Sequence, residues 1–120
     1  MIHIIDDDKS VRRSFELLLA SAGLDCKSYV GAKEFLSNYD QSKNDLLILD
    51  IHMPNMNGYE LLKNLRERKV NTPVIIVTAF DEEESRNSAK EYKVIDYLIK
   101  PVDGETLIKL INDNIIHPQS

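Results

Sequence analysis

The sequence predicts an α/β fold in which five parallel strands alternate with five helices, a doubly wound (βα)5 arrangement. Two observations support this prediction: short unbroken apolar runs, and between them segments whose apolar residues recur with helical period. Unbroken apolar runs are typical of strands buried on both faces of a parallel sheet. Parallel strands need crossover connections, so the helical segments are expected to cover the sheet through right-handed crossovers.

The first third of the chain predicts two strands and two helices. Residues 3–5 form the first apolar run. Asp8 is the expected N-cap of the first helix, and Gly23 is its expected end. Residues 24–29 alternate apolar with polar side chains, as an edge strand does, and a short helix is expected from about residue 32 to residue 39. The apolar stripe of the first helix consists of Val11, Phe15, Leu18, Leu19 and Ala22.

The middle of the chain predicts two buried strands separated by one helix. Apolar runs at 46–49 and 74–77 are the third and fourth strands. Asn57-Gly58 turns the chain into the third helix, and Thr72-Pro73 opens the fourth strand. The third helix carries a core stripe of Leu61, Leu62 and Leu65.

The fourth helix is predicted to have a weak core-facing side. Asp81 and Glu84 have the spacing of a capping box, and the helix is expected to continue to about Tyr92. This small apolar face predicts low local stability, so we expect this helix to be the element that moves. The residues that it offers the core are Ser85, Ser88, Ala89 and Tyr92.

The last part of the chain predicts one strand and one helix. The fifth strand covers 97–99, and Asp103 begins the last helix. Its apolar stripe covers more than a third of its circumference, so part of the stripe is expected to exceed what the core needs. The stripe consists of Leu107, Ile108, Leu110, Ile111 and Ile115.

Composition and charge restrict the class of protein. The 120 residues fit one domain over 1–120, and 42% hydrophobic against 29% charged residues is ordinary for a globular protein. The net charge of −5 argues against contact with nucleic acid or anionic lipid. Cys26 has no partner for an internal disulfide. No secretory pattern or membrane-spanning run is present in the sequence, so we expect a cytoplasmic location without membrane contact.

Four apolar runs end at polar residues of different chemical kinds. Asp6 and Asp7 follow the first run, Asp50 follows the third strand, Thr78 the fourth and Lys100 the fifth. In open α/β sheets, ligands bind beyond the carboxyl ends of the strands. We therefore expect these side chains to face one crevice.

The expected crevice suits a metal ion and phosphoryl transfer. Repulsion among Asp6, Asp7 and Asp50 would raise their pKa values unless a cation neutralises them. Oxygen ligands favour Mg²⁺ over Zn²⁺, with Mn²⁺ as a tolerated substitute. A carboxylate can attack phosphorus, and Asp50 is the expected nucleophile, with the Thr78 hydroxyl and Lys100 ammonium beside it.

Together, these motifs resemble the receiver domain of two-component response regulators, of which the chemotaxis receiver is one. The resemblance implies a flavodoxin-like sheet of strand order 2-1-3-4-5 and a cis peptide bond between Lys100 and Pro101. The motifs that carry it are Ile5-Asp6-Asp7-Asp8, the segment from Asp50 to Gly58, Thr78-Ala79, and the segment from Asp96 to Pro101.

The resemblance also implies a role for each site residue. Asp50 would accept a phosphoryl group from the phosphohistidine of a sensor histidine kinase or phosphotransfer protein. Asp7 and the backbone carbonyl of His52 would ligate Mg²⁺ together with Asp50, and Asp6 would hold the ion through water. Thr78 and Lys100 would bind phosphoryl oxygens. Tyr97 would be the aromatic switch that responds with Thr78, and packing alone is the alternative explanation of an edge-strand tyrosine.

The chain departs from the family pattern before its fifth strand. Lys93-Val94 stands where the family has a small Gly-Ala pair, so the fourth helix is expected to end without its usual glycine. His52 and Phe80 occupy variable positions near the acceptor and the hydroxyl, where the aromatic ring of Phe80 could shield an acyl phosphate from water.

Three functions fit these residues. The first is a phosphorylation switch that catalyses only its own phosphorylation and dephosphorylation, and that signals or dimerises through helix four, strand five and helix five. The second is a phosphohydrolase of the haloacid-dehalogenase class, but that class needs a second aspartate where this chain has His52. The third is a receiver-like binding module without phosphorylation, which would predict loss of an acidic residue or of Lys100.

Overall fold

The computed structural model describes residues 1–39 and 44–115. Five parallel strands form one sheet in the order β2-β1-β3-β4-β5, as predicted. The strands are β1 Ile2–Ile5, β2 Cys26–Tyr29, β3 Leu46–Leu49, β4 Val74–Thr78 and β5 Asp96–Ile99. The helices are α1 Lys9–Ser21, α2 Ala32–Asn38, α3 Gly58–Glu67, α4 Glu83–Glu91 and α5 Gly104–Asn114. In the described parts of the chain, no helix has the length and apolarity that crossing a bilayer requires.

Alternate side chains of the central strands pack into two separate cores. On one face of the sheet, Ile4 and Ile48 pack with residues of α1 and α5. On the other face, Leu47 and Leu49 pack with residues of α2, α3 and α4. Since both faces are covered, the central strands need apolar side chains at every position, which explains their unbroken hydrophobic runs. Strand β2 lies at the edge of the sheet, as its polar alternation predicted.

Three helices begin at side-chain caps, of which the sequence predicted Asp8 as a cap and Asp103 as a helix start. The Asp8 carboxylate accepts hydrogen bonds from the amides of Ser10 and Val11 at the start of α1. Asn57 caps α3 and Asp103 caps α5 in the same way. Each cap satisfies backbone donors that a helix leaves unpaired at its N-terminus.

The predicted capping box of α4 is wrong. The N-cap residue is Glu82, whose side chain makes no cap hydrogen bond, and α4 begins one residue later. The Asp81 carboxylate instead accepts a charge-assisted hydrogen bond from the Arg86 guanidinium. The exposed Asp81 carboxylate is therefore paired with Arg86 and does not cap the first turn of α4.

The core-facing side of α4 is as thin as predicted. Ala89 is the only buried residue that this helix contributes, while Ser85 and Ser88 are half-buried. By contrast, α3 buries Leu61, Leu62 and Leu65 completely or almost completely. The free energy that holds α4 in place therefore includes little hydrophobic burial.

The wide apolar stripe of the last helix is only partly buried, as expected. Leu107 and Ile111 are fully buried. Ile108, Leu110 and Ile115 are only half-buried, so they present apolar surface beyond what the core covers. This surplus lies on the helix that follows β5.

A buried polar cluster lies within β1, away from the acidic cluster. His3 accepts or donates a hydrogen bond at Nδ1 with the Tyr29 hydroxyl at 2.9 Å, and its Nε2 lies 3.3 Å from an oxygen of buried Asp45. Burial lowers the pKa of His3, and the hydrogen bond with Asp45 opposes this effect only in part. His3 is thus a core histidine, as its place in a strand indicated.

Lys93 takes the left-handed position that the family gives to glycine. Its φ is 57°, directly after the C-cap residue Tyr92, and Lys69 adopts φ 62° after α3. A side chain costs about 1–2 kcal/mol in this conformation. The prediction that α4 ends without a glycine is correct.

Replacing Lys93 with glycine should stabilise the protein. We expect Lys93→Gly to raise the free energy of unfolding by about 0.5–1 kcal/mol, because the left-handed strain exceeds the entropy that glycine adds to the unfolded chain. Urea denaturation measures this change. Lys90→Gly is the matched control: Lys90 lies within α4, where glycine should destabilise by about 1 kcal/mol. A loss of stability in Lys93→Gly would refute the assignment.

Candidate functional site

The acidic residues meet where the strand order reverses. Strand β1 lies between β2 and β3, so the chain leaves β1 and β3 toward opposite faces and opens a crevice at their carboxyl ends. Asp6 and Asp7 follow β1, and Asp50 follows β3. Carboxylate oxygens of the three lie within 4.8 Å of one another, with Asp6 and Asp50 buried and Asp7 exposed.

Lys100 supplies the positive charge of the crevice. Its Nζ donates a hydrogen bond to Asp6 Oδ2 at 2.8 Å and lies 3.6 Å from Asp50 Oδ2. Burial by itself lowers the pKa of Lys100, but the hydrogen bond to Asp6 and the charge of Asp50 more than offset it, so the net shift is upward. Lys100 therefore stays charged. The Lys100–Pro101 peptide bond is cis, as the resemblance implied.

Asp50 is a buried carboxylate whose ionisation is disfavoured. It is 6% exposed, and Oδ1 accepts a hydrogen bond from the His52 amide at 3.3 Å. Burial and, next, the negative charge of Asp6 raise the pKa of Asp50 to about 6, although Lys100 opposes the shift. The site thus holds more negative charge than its single lysine neutralises, which favours binding of a cation.

Backbone contacts fix Asp6 in the crevice. The Asp8 amide donates to Asp6 Oδ1 at 2.9 Å, and the Arg12 guanidinium donates to the Asp6 carbonyl at 2.7 Å. The role of Arg12 was not predicted from the sequence. Its position one turn into α1, facing back toward β1, is the signal that could have identified it.

Gly58 permits the loop after Asp50 to close tightly. A Cβ atom at this position would lie 2.9 Å from the Asp50 carbonyl oxygen and 2.9 Å from the Ile51 Cα. The Gly58 amide also donates to the Ile51 carbonyl at 2.9 Å. The first residue of α3 is therefore packed directly against the end of β3, which needs a residue without a side chain.

Thr78 and Tyr97 are connected through the backbone of Phe80. The Phe80 amide donates to the fully buried Thr78 Oγ1 at 3.2 Å. The Tyr97 hydroxyl donates to the Phe80 carbonyl at 3.0 Å. The guanidinium of Arg86, in α4, lies 4.8 Å from the centre of the Tyr97 ring, a cation–π contact. One short segment thus links the hydroxyl beside the crevice, the tyrosine of β5 and the start of α4.

His52 and Phe80 lie at the rim of the crevice. Their rings meet edge to face with centroids 5.0 Å apart, and Phe80 is 58% exposed. His52 Nε2 also lies 3.0 Å from a carboxylate oxygen of Glu82, the N-cap residue of α4. This contact with Glu82 was not predicted, because residues 30 positions apart in the sequence carry no local signal of pairing.

Comparison with known proteins identifies the family. The sequence matches the response regulator receiver domain over residues 2–112. The chain belongs to this family. Receiver domains act in two-component signalling, bind Mg²⁺ in an acidic pocket and interact with histidine kinases or phosphotransfer partners.

Similar proteins include longer regulators and single receivers. The chain is 37% identical to the DNA-binding transcriptional regulator NtrC of Salmonella typhimurium over 119 residues, 99% of this chain but 25% of the relative. It is 33% identical to the transcriptional regulatory protein FixJ of Rhizobium meliloti over 110 residues, 92% of this chain and 54% of the relative. The structure of Vibrio cholerae chemotaxis protein CheY4 matches with a TM-score of 0.83 at 27% identity and covers 93% of this chain and 95% of that one.

The structure of this receiver chain brings most of the predicted site residues into one place. Carboxylate oxygens of Asp6, Asp7 and Asp50 lie within 4.8 Å of one another, and Lys100 contacts Asp6 and Asp50. Thr78 closes the neighbouring strand, and Tyr97 lies farther along the sheet, where it reaches Thr78 only through Phe80.

Removing the charge of Asp50 should stabilise the protein in the absence of divalent cations. Its folded-state pKa of about 6 exceeds the ordinary 3.8, so the unfolded chain loses this proton first as the pH rises. The penalty therefore begins near pH 4 and is complete above about pH 6. We expect Asp50→Asn to raise the free energy of unfolding by about 1–3 kcal/mol at neutral pH.

The pH dependence distinguishes this effect from a change in packing. The gain of Asp50→Asn over the original protein should disappear toward pH 4, where Asp50 is neutral in both states. Urea denaturation of the two proteins at both pH values measures it. An equal gain at both pH values would contradict the ionisation argument.

Proposed function

We propose that residues 1–120 act as one receiver module that accepts a phosphoryl group on Asp50 from the phosphohistidine of a sensor kinase or phosphotransfer protein. The observation that carries the proposal is the buried Asp50 carboxylate at the end of β3, with Lys100 at 3.6 Å and two further carboxylates beside it. Asp50 is the one acidic residue that closes a central strand next to this pair.

The transfer forms one bond and breaks one. An oxygen of Asp50 attacks the phosphorus atom, and the P–N bond of the donor phosphohistidine breaks. The electron pair of that bond remains on the imidazole nitrogen, which takes up a proton, and an acyl phosphate is left on Asp50. In the later dephosphorylation, water attacks phosphorus and the P–O bond to Asp50 breaks. The electron pair of that bond returns to the Asp50 carboxylate, and inorganic phosphate leaves with the oxygen of the water, whose proton passes to solvent. These two reactions on its own aspartate are the only chemistry that we propose.

The acidic cluster fits a hard divalent cation, because its donors are all carboxylate oxygens. Asp7, Asp50 and the His52 backbone carbonyl would ligate Mg²⁺, and Asp6 would hold it through water. Mn²⁺ would substitute. When bound, the ion neutralises charge on the phosphoryl oxygens. Lys100 already contacts Asp6 and Asp50, so it can turn to a phosphoryl oxygen without a large movement.

The switch would begin at Thr78. A phosphoryl group brings about −1.5 to −2 charges and three acceptor oxygens, and the Thr78 hydroxyl would donate to one of them. That movement changes the hydrogen bond from Phe80 and, through the Phe80 carbonyl, the contact with Tyr97. Both Thr78 and Tyr97 would act as switch residues. His52 and Phe80 would limit the access of water to the acyl phosphate.

The signal would be passed to a partner through the face formed by α4, β5 and α5. The half-buried residues Ile108 and Ile115 leave apolar surface at α5, where Ile108 borders Leu18 of α1. Phosphorylation would promote self-association or binding of an output partner there, without direct contact of this module with nucleic acid. The similarity to NtrC and FixJ favours control of transcription as the output.

A phosphohydrolase of the haloacid-dehalogenase class is the weaker alternative. Its general acid would have to occupy position 52, where this chain has a histidine whose ring faces Glu82. Membership of the receiver family also argues against it.

Phosphorylation of Asp50 is directly testable. Incubation of the protein with acetyl phosphate and Mg²⁺ should add one phosphoryl group, which intact-mass measurement detects. Omission of Mg²⁺ or the substitution Asp7→Ala should abolish or strongly reduce the increment, and Asp50→Asn should abolish it. Asp8→Asn is the matched control, since Asp8 is the α1 cap. A full increment in Asp50→Asn would refute the assignment.

A further inference from the structure

The described contacts hold α4 in place mainly through polar groups. Ala89 is its one buried residue, and the side chain of its N-cap residue Glu82 makes no hydrogen bond to the amides of the first turn. Polar contacts reach its first turn from two sides: His52 meets Glu82, and Tyr59 meets Ser85. A few hydrogen bonds of this kind can decide the position of a helix that has little apolar burial.

The Tyr59 contact is the more enclosed of the two. Tyr59 is half-buried in the first turn of α3, and its hydroxyl donates to the Ser85 backbone carbonyl. A phenol has only one hydrogen, so the Ser85 hydroxyl donates in return to the Tyr59 oxygen, at 2.9 Å. The Tyr59 ring also stacks on Tyr92 at the other end of α4, with centroids 6.1 Å apart. Tyr59 thus contacts both ends of α4.

The partner helix α3 cannot follow a movement of α4. Leu61, Leu62 and Leu65 anchor it in the core with exposures of 0%, 0% and 1%. At its start, Gly58 packs against the backbone of Asp50 and Ile51 with no space for a Cβ atom. Tyr59 therefore extends from a rigid support.

Movement of the Thr78 hydroxyl toward a phosphoryl group would act on this contact. The Phe80 amide is bonded to Thr78 Oγ1, and the chain from Phe80 enters α4 two residues after Asp81. Ser85 lies in the first turn that this segment leads into. A shift of the segment would carry Ser85 away from the Tyr59 hydroxyl, because α3 stays in place.

We propose that Tyr59 is a positioning residue that holds α4 in its resting position and so lowers the fraction of molecules in the active conformation. The inference rests on the proposed function, since it concerns the conformational change that follows phosphorylation of Asp50. A ligand that binds only a conformation of low population has an apparent Kd equal to its intrinsic Kd divided by the fraction of molecules in that conformation. Loss of the Tyr59 hydroxyl should then make a phosphoryl mimic bind more tightly.

The test is calorimetric titration with beryllofluoride in the presence of Mg²⁺. We expect Tyr59→Phe to bind the mimic with a Kd about fivefold lower than the original protein, the change typical of one hydrogen bond. Without the mimic, the amides of residues 83–91 should exchange faster in this variant. Ser85→Ala should lower the Kd about twofold, because the Ser85 carbonyl still accepts from Tyr59.

Tyr39→Phe is the matched control. It removes the same hydroxyl from a half-buried tyrosine whose partner is Thr72, at 2.6 Å, before β4. Its Kd for the mimic should equal that of the original protein, whatever its effect on stability. An unchanged or higher Kd in Tyr59→Phe, while the original protein binds, would overturn the inference and leave the proposed function standing. No binding by the original protein would overturn both.

Discussion

The structure depends on holding three carboxylates together at one edge of a parallel sheet. Burial and, next, repulsion from Asp6 raise the pKa of Asp50 to about 6, and Lys100 offsets only part of that shift. The folded chain keeps them together because β1 and β3 are buried on both faces by two cores. The same uncompensated charge favours binding of a cation at this site.

Rigid and weakly held parts of the molecule are clearly separated. The helices α1, α3 and α5 have side-chain caps and bury leucine, isoleucine or phenylalanine, whereas α4 has neither. A signalling domain needs an element that can move at a small cost in free energy. Such elements come from the least stable part of a fold. The segment after Thr78 leads directly into that element. Polar contacts from Tyr59 and His52 then set its resting position.

Strand runs and caps were predictable because their causes are local. The runs at β3 and β4, the Asp8 cap, the helix starts at Asn57-Gly58 and Asp103, and the thin face of α4 all follow from the local sequence. The proximity of Asp6 and Asp7 to Asp50 could also be predicted, since parallel strands bring their carboxyl ends together.

Long-range polar pairing could not be predicted in this way. The contacts between His52 and Glu82 and between Tyr59 and Ser85 join residues 30 and 26 positions apart in different elements. No residue spacing encodes which side chains meet across such a loop. These contacts concentrate around α4, where the core contributes least to the position of the helix.

Hydrogen exchange tests most directly the claim that a phosphoryl group at Asp50 moves α4. The comparison is between the free protein and the protein saturated with beryllofluoride and Mg²⁺. The account predicts changed protection from exchange within residues 79 to 100 and unchanged protection of the core amides of α3. Unchanged protection of residues 79 to 100 with the mimic bound would contradict it.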